Sequence, residues 1–308
     1  MTPALEIRDL RKVYSGGVEA LRGIDLTVPD GEFFGLLGPN GAGKTTTIGI
    51  TTGLVRSSGG SVKVMGHDVV KEFREARRLI GLAAQELNFD WFFAIEDLML
   101  LQAGYYGVGK ETARLNSERL LDIFGLTAKR RVKPRELSGG MKRRFQIARS
   151  LVHDPRILIL DEPTAGVDVE LRHMLWDYLT RLNKEGRTII LTTHYIEEAE
   201  KLCQRVAIID EGLIVKEGTP RELVAGMDND GVALAVEDWD PDAGKALDGY
   251  AYEYSEGHLR VFTPRPEFKL SDVIERITST GAVVQDATIF HSTLEDLFIK
   301  LTGHGIDE

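Results

Sequence analysis

Gly38-Pro39-Asn40-Gly41-Ala42-Gly43-Lys44-Thr45 sets three glycines ahead of a lysine and a hydroxyl, in the pattern G-x-x-x-x-G-K-[ST]. Glycines let the backbone wrap closely round an anion with its N–H groups turned inward. A helix starting at Lys44 would add the favourable end of its dipole. In that setting Lys44 reaches the β- and γ-phosphates of a nucleotide and the Thr45 hydroxyl is a ligand for Mg²⁺. Far downstream, Ile157-Leu158-Ile159-Leu160 runs into two adjacent acids, Asp161-Glu162. Acids at the end of an apolar strand are costly if buried alone, so a cation or a reactive water should balance them. Successive strand residues point to opposite faces, which gives the two carboxylates separate roles. Asp161 suits the metal shell, and Glu162 suits polarising the water that attacks the γ-phosphate.

These residues need strands and helices in a particular order. Leu5–Arg8 and Ile24–Val28 alternate apolar and polar residues as strands, with turn clusters at 15–17 and 29–31. The apolar run Phe33-Phe34-Gly35-Leu36-Leu37 leads into the glycine loop, a helix is predicted over 44–54, and a strand over 61–66. From Glu96 to about Leu151 the pattern is helical. Strands over 156–160, 188–192 and 206–209 then alternate with helices over 170–184 and 196–203. Such alternation predicts a largely parallel sheet with helices on both faces, interrupted by an inserted helical subdomain. After Pro220 shorter strands, over 232–236, 259–262 and 283–289, mix with helices over 270–278 and 294–301, the signature of a small α+β appendage. There is no fixed-period repeat.

Charge divides the chain at the same place. The net formal charge is -10, and residues 221–308 hold 7 basic and 18 acidic residues, a net of -11. An acidic tail of this kind repels phosphates and argues against nucleic acid as a partner. No apolar run approaches the roughly 18 residues of a membrane span, and the N-terminal residues, with Glu6 and Asp9, do not read as a secretory signal. A single cysteine, Cys203, forms no internal disulfide and fits a reducing cytosol.

Leu137-Ser138-Gly139-Gly140-Met141 lies ahead of a helix and 20 residues before Asp161. With the phosphate loop, this order and spacing resembles the ATP-binding subunits of ABC transporters over residues 4–220. Gln85, after Ile80-Gly81-Leu82-Ala83-Ala84, matches the glutamine at the junction with the helical subdomain, and His194 matches the switch histidine. Ala165-Gly166-Val167-Asp168 matches the D-loop, with valine where leucine is commoner, and Tyr14 stands where the family stacks an aromatic on adenine. The closing stretch Thr293–Gly303 is similar to that of ABC-2-type exporter ATPases, and the whole chain looks nearest to their YadG-like branch.

The resemblance implies an α/β fold. A P-loop NTPase (RecA-like) core carries an N-terminal antiparallel β-subdomain and an inserted α-helical subdomain at about 86–155. Together these make an ATP-binding domain over 1–220, followed by a small acidic α+β domain over 221–308. It also implies an ATPase that energises export through a separate integral-membrane permease, held peripherally at the cytoplasmic face of the inner membrane. Two copies would form an ATP-dependent head-to-tail homodimer. ATP would meet Tyr14 and Gly38, Pro39, Asn40, Gly41, Ala42, Gly43, Lys44, Thr45 and Thr46 of one copy. Ser138, Gly139, Gly140 and Asp168 of the other would face it. Thr45, Gln85 and Asp161 would hold Mg²⁺, and Glu162, His194 and Gln85 would serve hydrolysis.

Other members of the superfamily fit less well. Ribosome-acting ATPases usually carry two cassettes in one chain, whereas this sequence has one phosphate loop. DNA-repair and chromosome ATPases insert coiled coils or zinc modules between the ATP motifs, and here Gly38 and Asp161 are only 123 positions apart. Importer ATPases often carry longer regulatory tails. Two features stay open at this level. Leu294, Leu297, Phe298 and Leu301 make one apolar helix face, for packing in their own domain or for a partner. Phe89, Trp91, Phe92 and Phe93 crowd five positions after Gln85, as subdomain core or as a socket for a permease helix.

Overall fold

The computed structural model describes residues 2–164, 167–225, 227, 230–239, 247, 249–262, 270–303 and 305. The chain divides into two compact units, one up to Pro220 and the other Arg221–Gly303.

The first unit is built on a six-stranded sheet. Its strands are β3 (Phe33–Leu37), β6 (Ile80–Ala83), β7 (Ile157–Asp161), β8 (Thr188–Thr193), β9 (Arg205–Asp210) and β10 (Leu213–Gly218), in the order β10-β9-β3-β8-β7-β6. Five strands are parallel and only β10 runs antiparallel, against β9. Every residue of β3, β7 and β8 is buried. That is why these segments read as unbroken apolar runs: a parallel sheet is covered on both faces. A second, antiparallel sheet joins β1 (Leu5–Val13), β2 (Glu19–Val28), β4 (Gly59–Val64) and β5 (His67–Asp68), in the order β2-β1-β4-β5. One core cluster runs from Leu5, Ile7 and Val64 of this sheet to Phe34, Ile159 and Ile209 of the parallel one.

Helix α1 (Lys44–Thr51) follows the phosphate loop. It stops short of the predicted Leu54, and the chain turns at Gly53 with φ 73°. The short α2 (Phe73–Arg78) leads into β6. The inserted helical region holds α3 (Ile95–Tyr105), α4 (Lys110–Ile123) and α5 (Gly139–Leu151). Helices α6 (Val169–Lys184) and α7 (Ile196–Leu202) flank β8. The fold is thus the α/β P-loop architecture with antiparallel and helical additions. Strands β5, β6 and β10 were not apparent in the sequence. β6 has four residues including Gly81, too few for a period to register, and β10 is largely exposed.

After the one-turn helix α8 (Pro220–Val224), the second unit folds as a four-stranded antiparallel sheet of β11 (Gly231–Glu237), β12 (Ala251–Ser255), β13 (His258–Phe262) and β14 (Val283–Phe290), in the order β12-β13-β11-β14. Val232, Leu234, Leu259 and Val261 of the sheet pack with Val273 and Ile277 of α9 (Leu270–Thr278). Helix α10 (Leu294–Thr302) opens with a capping box between Thr293 and Asp296. Its Leu294, Leu297 and Phe298 are buried while Leu301 is exposed, so most of the apolar face is consumed within the chain.

Candidate active site

The phosphate loop links β3 to α1, and its glycines are required by space as well as by conformation. A Cβ on Gly38 would lie 2.2 Å from the carbonyl oxygen of Ile209, and one on Gly43 would lie 2.7 Å from that of Ala20. Gly41 and Gly43 have φ of 86° and 112°, in the left-handed region that other residues avoid. Lys44 is buried and its Nζ donates to the carbonyls of Gly38, at 2.5 Å, and Pro39, at 3.1 Å. Burial pulls the Lys44 pKa below the usual lysine value, against the opposing pull of Glu162 and Asp161. Asn40, Gly41 and Thr45 are exposed at the rim, while Pro39 and Ala42 are buried beneath it. The Tyr14 hydroxyl lies 3.3 Å from Thr46 Oγ1, which sets the ring beside the first turn of α1.

The two acids stand at the end of β7, 2% and 5% exposed. Their carboxylates face different partners. Asp161 takes hydrogen bonds from the hydroxyls of Thr192 and Thr45, and burial pushes its pKa above the usual carboxylate range. Glu162 faces the other group. Gln85 Nε2 donates to its Oε2 at 3.0 Å, His194 Nδ1 lies 3.2 Å from its Oε1, and Lys44 Nζ lies 3.6 Å from the same oxygen. His194 Nδ1 is buried without an aligned hydrogen-bond partner. Glu162 itself has φ 49°, an uncommon conformation for a residue with a side chain, and its N–H donates to the Thr192 carbonyl at 3.0 Å. Three segments far apart in the chain therefore converge on one carboxylate.

The remaining predicted residues sit at helix ends. Ser138 caps α5 by accepting from Met141 N–H, and Asp168 caps α6 by accepting from Leu171 N–H at 2.8 Å. Gly139 has open space where a side chain would stand. Among the described residues no hydrogen bond joins Ser138, Gly139, Gly140 or Asp168 to the Lys44–Glu162 cluster. Ala165 and Gly166 lie outside the described residues. Gln85, predicted both as a metal ligand and in catalysis, is hydrogen-bonded to Glu162.

Two further groups were missed in the sequence. Arg143 on α5 donates to the carbonyls of Asp161, Glu162 and Pro163 and to those of Ala84 and Gln85. Glu198 on α7 accepts from the Thr164 hydroxyl and from Trp176 Nε1. Arg143 shares a helix face with Gln146 and Ile147, three and four positions on, and the burial of all three is evident only in the folded chain.

Of the four clustered aromatics, Phe89 is core, with its ring 5.2 Å from that of Phe145. Trp91, Phe92 and Phe93 are 41%, 78% and 45% exposed. Phe93 continues into a groove of about 780 Å³ lined also by Leu100, Leu101 and Tyr105 of α3.

A P-loop sheet with this carboxylate cluster at the ends of its inner strands defines a nucleoside-triphosphate hydrolase, and comparison with known proteins narrows the class. Residues 21–165 match the ABC transporter family model. The Nod factor export ATP-binding protein I of Burkholderia pseudomallei (strain 1710b) is 39% identical over 291 residues, 91% of each chain. The protein of that name from Paraburkholderia xenovorans (strain LB400) is 35% identical over 327 residues, 99% of each. Among solved structures, an ATP-binding subunit of an ABC transporter superposes with TM-score 0.67 at 28% identity, covering 71% of this chain and 91% of that one. The dimeric ATP-binding cassette MJ0796 bound to ADP and Pi superposes with TM-score 0.66 at 26% identity, covering 70% and 98%. The chain belongs to the ABC transporter family. It is an ATP-binding, ATP-hydrolysing subunit, and none of its helices among the described residues is long and apolar enough to cross a membrane.

Proposed function

We propose that this ATPase powers export through a separate integral-membrane permease, working as an ATP-dependent head-to-tail homodimer at the cytoplasmic face of the inner membrane. The observation that carries the chemistry is the convergence of Lys44, Gln85 and His194 on Glu162. Each ATP would lie between the phosphate loop of one subunit and Ser138-Gly139-Gly140 of the other, where the N-terminus of α5 offers N–H groups and a favourable dipole. Open space at Gly139 suits such an approach. Hydrolysis would remove the bridging charge and reopen the pair. Support for export comes from the names of the relatives, and support for pairing from the dimeric cassette.

Within one site the roles divide by contact. The loop N–H groups and Lys44 bind the phosphates, with Tyr14 against the adenine. Thr45 and Asp161 present adjacent oxygens of the hard type that Mg²⁺ prefers, and both fit that ion, with Gln85 assigned as the third ligand from its place on the neighbouring Glu162. The metal, when bound, neutralises phosphate charge. Glu162 orients and polarises the attacking water. His194 holds the Glu162 carboxylate, with Asp168 of the facing subunit across the interface. His194→Ala is therefore expected to lower hydrolysis by about 10²-fold or more with little change in ATP affinity, because the phosphate loop supplies most of the binding. Equilibrium nucleotide binding beside single-turnover hydrolysis checks this. A large rise in Kd with unchanged hydrolysis per bound ATP would contradict it.

The permease contact is assigned to Trp91, Phe92 and Phe93. Their exposure beside the α3 groove supports this over a core role. Burying one such ring on docking is worth roughly 1.5–3 kcal/mol. Trp91→Ala with Phe92→Ala is expected to weaken recruitment to permease-containing membranes by about 10-fold or more, with melting temperature and soluble ATPase activity nearly unchanged. A large fall in melting temperature would return these rings to the core. Co-purification with a solubilised membrane protein tests the assignment as a whole.

A further inference from the structure

From the position of Arg143 we infer that it is a positioning residue that couples the two ATP sites of the dimer, linking the signature end of α5 in each subunit to that subunit's own Glu162. The inference rests on the head-to-tail reading above. In that arrangement the two ends of this link serve different ATP molecules. Ser138-Gly139-Gly140 meets the nucleotide on the partner's phosphate loop, whereas Glu162 acts on the nucleotide of its own subunit.

Arg143 is 6% exposed and lies little more than one turn into α5, about 7 Å along the axis from Ser138. Its planar fork spans two segments. Nε donates to Pro163 O at 2.8 Å, and Nη2 to Asp161 O at 3.0 Å and to Glu162 O. Nη1 donates to Ala84 O at 2.9 Å, to Gln85 O at 3.2 Å and to Gln146 Oε1 at 2.7 Å. Gln146, on the same helix face, donates in turn to Ala84 O and Glu86 O, each at 2.8 Å. One helix thus grips the backbone beneath the hydrolytic carboxylate and beneath the Gln85 that is hydrogen-bonded to it.

Glu162 needs this grip because its left-handed backbone is held only by surrounding contacts. Among the described residues, buried Arg143 has no carboxylate as a hydrogen-bond partner; its acceptors there are carbonyls and one amide oxygen. Its charge is spent on backbone geometry. A small shift of α5 when its N-terminus takes up the partner's γ-phosphate moves the guanidinium, and with it the 161–163 and 84–85 carbonyls. Misplacement of a reacting group by about 1 Å can change a rate by roughly 10²-fold. ATP in one site thereby sets the geometry of hydrolysis in the other.

The test uses the full chain. Arg143→Lys keeps the charge but replaces a flat, multidentate fork with a point donor that cannot span both segments. ATPase rate is measured against ATP concentration, alongside equilibrium ATP binding and melting temperature. Wild type is expected to respond with a Hill coefficient near its two-site limit of about 2. Arg143→Lys is expected to bind ATP within about threefold of wild type, to turn over about 10- to 100-fold more slowly and to respond with a Hill coefficient of about 1. Where Arg143→Lys melts too low to assay, Gln146→Met removes a smaller part of the same grip and is read in the same way. A slower enzyme that keeps the wild-type Hill coefficient would make Arg143 a local support and overturn the coupling, as would unchanged turnover. The dimer reading is tested separately, by ATP-driven dimerisation of Glu162→Gln with and without Arg143→Lys. Dimerisation of both with cooperativity kept in Arg143→Lys overturns the coupling alone, and failure of Glu162→Gln to dimerise overturns the head-to-tail reading itself.

Discussion

Glu162→Gln is expected to lower ATP turnover by about two orders of magnitude or more while leaving ATP binding intact. The amide preserves size and can still accept the hydrogen bond from Gln85 Nε2, which now reaches Oε2 at 3.0 Å. What it loses is the charge that draws a proton from the attacking water. The phosphate loop, Lys44 and Thr45 are untouched, so the nucleotide binds and remains. Two consequences follow from one substitution: hydrolysis per bound ATP falls, and the pair of subunits persists, because the bridging γ-phosphate is not removed. Single-turnover hydrolysis measures the first, and light scattering with and without ATP measures the second. Wild-type turnover in this variant would remove Glu162 from its assigned role.

Lys44→Ala is expected to act on binding. Among the described residues the ammonium is the only lysine or arginine group within ion-pair distance of the Glu162 carboxylate, and it closes across the phosphate loop onto Gly38 and Pro39. A unit charge about 4 Å from a phosphate is worth roughly 4 kcal/mol near a protein surface, or about a thousandfold in Kd. Removing it also leaves Asp161 and Glu162 buried without their nearest lysine, so like charge meets the incoming phosphates. Titration with a fluorescent ATP analogue checks the result. Binding within about threefold of wild type would mean that the loop N–H groups alone carry the affinity. The pairing of the two variants is informative: one should bind and not turn over, and the other should fail before chemistry begins.

Local order was readable wherever the chemistry demands particular side chains at short spacing. Gly38, Gly43, Lys44 and Thr45 lie within eight positions, and the need for glycine is steric at Gly38 and both steric and conformational at Gly43. Asp161 and Glu162 stand out as acids at the end of an apolar run, and that run is apolar because a parallel strand is covered on both faces. Gln85, Glu162 and His194 could be named by their place among the motifs, and the fold brings Gln85 to 3.0 Å and His194 to 3.2 Å from the Glu162 carboxylate.

Tertiary structure alone decided the rest. Arg143 reads in the sequence as one cation in a basic helix. Its partners are carbonyls from segments 18 to 59 positions away, and a carbonyl carries no sequence identity, so no spacing rule could reveal them. Strands β6 and β10 needed their neighbours, since four or six residues with little burial contrast hold too few periods to show a pattern. The aromatic cluster was ambiguous for the same kind of reason: Phe89 and Phe92 are chemically alike, and only packing against Phe145 puts one inside while the other stays 78% exposed. Short-range stereochemistry made the phosphate loop legible. Which distant backbone a buried guanidinium grips is settled only when the chain has folded, because that choice belongs to the meeting of segments and to no one of them.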